Sequence, residues 1–186
     1  MVTWGALWLP IVGASAILLV AGFVLWMVLP LHKGDFRPFP DEAAVGAVLR
    51  GQQLAPGQHI IPHMKDPKEM KDPAMVAKYI QGPVGFLVLA NPGAPALGKN
   101  LLQMFLYHVV VSIFVAYLAV HTLAAGATYL AVFRVTGTVA SLAYASATIP
   151  SAIWYGRPWS AVWKEVFDGL VWGLLTAGTF GWLWPR

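Results

Sequence analysis

Four long stretches of this chain contain no Asp, Glu, Lys or Arg: Met1 to Leu31, Leu101 to Phe133, Val135 to Gly156 and Gly169 to Pro185. Uncharged runs of this kind constrain the fold more than any other feature, because a bilayer core takes ~20 such residues per helix. Hydrophobic residues make up 58% of the chain and charged residues 11%, against roughly 25% charged in soluble domains. The sequence therefore reads as an all-α integral membrane protein.

The number of helices turns on the second stretch, which is too long for one untilted span. It contains Leu123-Ala-Ala-Gly126-Ala-Thr128, where a glycine among small residues permits a tight turn. Dividing it there predicts four transmembrane helices, at about Trp4 to Leu29, Leu101 to Thr122, Thr128 to Trp154 and Phe167 to Trp184. The first closes at Pro30, where proline halts a helix. No Lys or Arg precedes it, its apolar run is long, and no small-x-small cleavage site follows, so it reads as an uncleaved anchor rather than a signal peptide. The expected organisation is helix 1 over residues 1–30, a mixed polar insert of about 70 residues over 31–100, and a three-helix membrane region over 101–186.

Basic residues set the expected orientation. Lys33, Arg37, Arg50, Lys65, Lys68, Lys71, Lys78 and Lys99 lie in the insert, and Arg157 and Lys164 between the last two spans. The positive-inside rule then puts the insert in the cytoplasm and both termini outside. Trp4 and Trp8 precede Trp26 by 18 to 22 residues, ~27 to 33 Å of helix, as expected of tryptophans at the two membrane faces. Between Arg157 and Asp168, the residues Trp159, Val162, Trp163, Val166 and Phe167 recur at helical spacing. That pattern predicts a short interfacial helix near 158–167, feeding into the fourth span.

The insert carries its own punctuation. Asp41 to Arg50 reads as a helix closed by Gly51, and Asp72-Pro73 followed by Gly82 frames a second helix over 72–81. Gln58 to Ile61 and Gly85 to Ala90 are strand candidates. With nine prolines in about 70 residues, the insert is expected to lean on the membrane surface or on a partner.

Small residues recur every four positions in the last two spans: Gly169, Gly173, Ala177 and Gly181 on one, Gly137, Ser141 and Ala145 on the other. Such faces let helix backbones approach closely. They serve either an interface with another subunit or packing of span four on span three in the same chain, and the second use is the commoner. Arg134 is the one charge that falls inside a span; it can snorkel to the headgroups or pair within the bundle, and snorkelling is the commoner outcome. Arg157 and Lys164 read as structural or headgroup-binding charges, with Glu165 or lipid phosphate as the partner of Arg157.

Residues with cofactor chemistry are sparse. His108 and His121 both fall on span two, but paired haem ligation needs partner histidines on facing spans, which have none. They remain weak cofactor candidates. His59, His63 and Met64, with Met70 and Met75 downstream, form a weak metal cluster whose soft ligands would suit copper. Zero cysteines remove disulfides and thiolate metal sites. No Walker loop, GxGxxG, GxSxG or HExxH is present, so no catalytic residue, cofactor or metal is expected. The pI near 9.5 comes from basic residues beside the bilayer, which points to membrane lipids and not to nucleic acid.

The segments Lys71-Asp-Pro-Ala74, Lys78 to Phe86, Val132 to Thr138, and Ser151 to Ser160 through Phe180 to Pro185 resemble an uncharacterised family of small bacterial inner-membrane proteins. The resemblance implies a bacterial source and an inner-membrane location, and brings no activity or ligand with it. The expectation is a small structural or accessory membrane protein that self-assembles as a homo-oligomer or joins other membrane subunits. The competing expectation is a transport or channel component whose pathway forms only on oligomerisation.

Overall fold

A computed structural model describes residues 2–186. Along the chain the elements are α1 (Trp8–Phe23), α2 (Glu42–Gly51), β1 (Gly57–Ile61), α3 (Pro73–Gln81), β2 (Gly85–Leu89), α4 (Leu97–Thr122), α5 (Tyr129–Ala145), α6 (Ile149–Tyr155) and α7 (Trp159–Trp182). They divide into two compact units, one built from the segments up to Asp35 and from Pro95 onward, the other from Phe36–Ala94.

Among the described residues, three helices are long and apolar enough to cross a membrane: Trp8–Val28, Leu97–Thr122 and Tyr129–Tyr155, the last joining α5 and α6 through a 3-10 turn at Ser146–Thr148. Pro150 falls at the start of α6, where its missing N–H costs nothing. α7 falls outside that set, since its first turns carry Lys164, Glu165 and Asp168. Residues 159–167, expected as a separate surface helix, are instead the opening turns of α7. Neither Gly nor Pro interrupts them after Pro158, so nothing in the backbone separates the two segments.

The helical unit buries a core of Leu7, Ala14, Leu18, Val115, Ala116, Ala119, Val132, Ala140 and Phe180. Four alanines among these let the helices approach closely around a few larger side chains. α5 and α7 form its tightest pair. A β-carbon added at Gly169 would lie 2.6 Å from Ala145 Cα, one at Gly173 2.9 Å from Ser141 Cα, and one at Gly137 2.9 Å from Ala177 Cβ. The far end of α7 is tied to the turn before α5: Gly126 N–H donates to the Pro185 carbonyl at 2.9 Å, and Trp184 Nε1 donates to the Ala124 carbonyl at 3.0 Å.

In the second unit β1 and β2 pair antiparallel, from Gly57 opposite Leu89 to Ile61 opposite Gly85. The Asp41 carboxylate accepts from Ala44 N–H and the Asp72 carboxylate from Ala74 N–H, each at 2.9 Å, capping α2 and α3. Gly82 ends α3 at a φ of 67°, which a side chain would resist.

Candidate functional site

The polar centre of the helical unit arises from how the helix that begins with α1 ends. Pro30 has no N–H, and the residue before it is held extended, so Leu29 leaves the helix with ψ 144°. The preceding turn widens into a π-helix over Val24–Val28, with Leu29 N–H donating to the Val24 carbonyl at 2.9 Å. Such widened turns re-aim side chains and are frequent at functional sites. Here Trp26 stacks on His32, with ring centroids 3.9 Å apart and planes 1° from parallel.

From the other side α7 presents Lys164 and Asp168, one turn apart on a single face. Trp26 Nε1 donates to Asp168 Oδ2 at 3.0 Å, and His32 Nε2 lies 3.0 Å from the same oxygen. The His32 approach is off the hydrogen-bonding direction, so it is a close polar contact rather than a hydrogen bond. His32 Nδ1 bonds Asp35 Oδ2 at 2.7 Å, and Lys164 Nζ donates to Asp35 Oδ1 at 2.5 Å. Lys164, Asp35, His32, Asp168 and Trp26 thus form one continuous chain. His32 and Asp168 are nearly sealed from solvent, with side chains 3% and 2% exposed.

A second ion pair lies beside it. Gly156 ends α6 at a φ of 64°, a left-handed position that turns the chain so that Arg157 folds back over α6. Arg157 pairs through both terminal nitrogens with Glu165 and donates to Ser151 Oγ at 3.2 Å, while Thr148 donates to Glu165 Oε2 at 2.5 Å. The Lys164 bond, reinforced by His32, outweighs burial and holds the Asp35 carboxyl below the usual range. Burial opposes the charge on Glu165, and the bonds from Arg157 and Thr148 compensate for it. The same Glu165 bond raises the Arg157 guanidinium. Thr148, Ser151, Arg157, Glu165 and Asp168, with Tyr144, line a cavity of about 330 Å³ walled by Trp26 and Trp172.

The remaining sequence candidates are placed as follows. Gly169, Gly173 and Ala177 meet Ala145, Ser141 and Gly137 across the α5–α7 contact, and a β-carbon at Gly181 would press on the Tyr129 ring at 2.7 Å. This face is therefore occupied within the chain, and the intersubunit use of it has no surface left. Arg134 is exposed on the outside of α5. Lys164, expected as a structural or headgroup-binding charge, donates to Asp35, because the Pro30 turn brings that carboxylate back over α7. His121 is exposed and bonded through Nδ1 to the Tyr117 carbonyl at 2.7 Å. His108 is fully buried, with Nδ1 3.2 Å from the Tyr144 hydroxyl.

In the second unit Met64, Met70 and Met75 line a cavity of about 450 Å³ with Val76, Tyr79 and Ile80. His59 and His63 are not among its walls; His59 Nε2 instead faces the Ala55 carbonyl at 3.0 Å. Among the described residues, no group of three His, Cys, Asp or Glu side chains is placed to hold a metal ion.

His32, Asp35 and Trp26 had no motif to mark them. Asp168 did carry a signal, since an ionisable residue one turn after Lys164 at the mouth of an apolar run demands a partner. No family model, no curated protein and no solved structure matches this chain.

Proposed function

We propose that this chain is a four-span accessory protein of the bacterial inner membrane, with α7 as its fourth span and with a structural or subunit role rather than an enzymatic one. The observation that carries the reading is that α7 is tied at both ends of the helical bundle. Trp184 and Pro185 bond to the turn between α4 and α5, whereas Lys164 and Asp168 engage the residues that follow α1. A helix of 24 residues is ~36 Å long, so it traverses the same hydrocarbon thickness as the spans it packs on. Its charges sit in the first turns, where pairing with Asp35 and His32 offsets the cost of bringing them to the membrane boundary.

The pairing also supports a structural role. Lys164, Asp35, His32, Asp168, Arg157 and Glu165 each have an oppositely charged or polar partner, as befits a lock between helices. Assembly with other subunits, on this reading, uses the outward apolar side chains of α1 and α4, such as Val20, Phe23, Val110 and Phe114. The positive-inside distribution places the residue 36–94 unit in the cytoplasm and both termini outside.

Single cysteines introduced into the Cys-free chain at positions 3, 65 and 186 test the topology in intact spheroplasts with an impermeant thiol reagent. Labelling at 3 and 186 but not 65 is expected. Labelling at 3 without 186 would remove α7 from the membrane. Recovery of monomer alone after crosslinking in native membranes would refute the subunit role.

A further inference from the structure

His108 and Trp172 share an unusual condition. Each has a ring nitrogen, His108 Nε2 and Trp172 Nε1, that is buried and has no hydrogen-bond partner. Buried polar groups are nearly always paired, and each exception calls for a cause. The two rings meet edge to face with centroids 5.5 Å apart. Both also line the same groove, about 360 Å³ in volume, whose other walls include Leu19, Phe23, Met27, Leu101 and Met104. Phe23 and Met27 are 56% and 71% exposed, so the groove opens on the outer surface of the helical unit. That volume is within the ~300–1,000 Å³ range of small-molecule sites.

We infer that this groove binds a neutral, carbonyl-bearing amphiphile of the quinone class, with a ring carbonyl on His108 and Trp172 and the tail along Leu19, Phe23 and Met27. Indole N–H only donates, so the ligand must present an acceptor. Tyr144 can donate its hydroxyl proton to His108 Nδ1, which leaves the proton on Nε2 and makes it a second donor. The acceptor must be uncharged, because an ionised head would be costly among these apolar walls. His108 lies seven residues after Leu101, where the uncharged run of α4 begins, ~10 Å along the helix. That is deeper than the headgroup boundary where glycerolipid esters remain, and a planar quinone head has no charged group to hold it there. The flat walls of Trp26 and Trp172 suit a planar ring.

The inference rests on the membrane placement proposed above, but its test does not depend on the number of spans. The purified full chain in mild detergent is titrated with decylubiquinone while tryptophan fluorescence is followed, with decanol as the tail-only control. Saturable quenching is expected for the quinone and not for decanol. His108→Leu should weaken it at least tenfold, and Met104→Trp, which fills the groove without touching either nitrogen, should abolish saturation. Thermal melting and circular dichroism confirm that each variant is folded, and one folded variant suffices. Linear, non-saturating quenching shared by wild type and the folded variant would mean micelle partitioning only and would overturn the proposal. So would a haem Soret band in the purified protein that His108→Leu removes, or a stoichiometric phospholipid that quinone cannot displace.

Discussion

Gly169→Ala is the sharpest probe of the α5–α7 contact, because it adds one carbon at the point where two backbones meet. A β-carbon there would lie 2.6 Å from Ala145 Cα, 2.7 Å from Ala145 N and 2.8 Å from Tyr144 C. All three are main-chain atoms, so no rotamer change can make room. Restoring ordinary contact requires the helices to part by about 1 Å, and a gap of that size forfeits roughly a quarter to a half of the dispersion energy along the seam. Overpacking of this kind costs ~1–3 kcal/mol. The same substitution at Gly178 places its β-carbon 3.7 Å from the Tyr129 hydroxyl, an ordinary distance. There the helix preference of alanine over glycine, ~1 kcal/mol, acts unopposed. Because that preference acts at both positions, the two variants should differ by the overpacking cost alone, ~1–3 kcal/mol, or roughly 2–12 °C in melting temperature for a chain of this size. Thermal unfolding in mild detergent, read alongside native mass, measures the difference. Equal melting temperatures for the two variants would refute the close contact, and loss of an oligomer from an undisturbed monomer would place this face against another chain.

Three further outcomes follow from the polar residues. Asp168→Ala leaves the Trp26 N–H without its acceptor and removes the carboxylate beside His32 and should cost ~1–3 kcal/mol in thermal or denaturant unfolding, whereas Arg157→Ala, whose side chain is 38% exposed, should cost ~1 kcal/mol or less; a reversed order would contradict the lock between α1 and α7. Gly156→Ala places a side chain at a φ of 64° and should cost ~1–2 kcal/mol, while Gly98→Ala, in open space, should be neutral or slightly stabilising. Asp35 has a lowered pKa in the folded chain, so its stabilisation is complete above the ordinary carboxylate range and is lost as pH falls through the folded value; Asp35→Asn should flatten part of the stability decline below about pH 4, and identical wild-type and variant profiles there would rule that contribution out.

Much of the local structure was legible because it depends on neighbours in sequence. Asp72-Pro73 and Gly82 bracket α3 through a cap, a free first-turn position and a left-handed stop, and each acts within a few residues of itself. The turn at Gly126 and the two strands were readable for the same reason. Periodicity proved less informative about where a segment ends. Residues 159–167 have an amphipathic repeat suited to a surface helix, yet they continue into α7, since periodicity describes a face and does not contain a stop signal.

Composition and uncharged length determined by themselves that this chain is helical and has helices able to cross a membrane, because burying backbone polar groups in hydrocarbon leaves helices as the local solution. The small residues at 137, 141, 169 and 173 likewise announced a close helix contact, but spacing alone is the same for a partner within the chain and a partner outside it. Only the tertiary structure decided between them. It also joined Trp26 to Asp168 across 142 positions and Asp35 to Lys164 across 129, and it left His108 Nε2 and Trp172 Nε1 buried beside one groove without partners. Those pairings depend on how α1, α4 and α7 meet in three dimensions, and no local pattern in the sequence records that geometry.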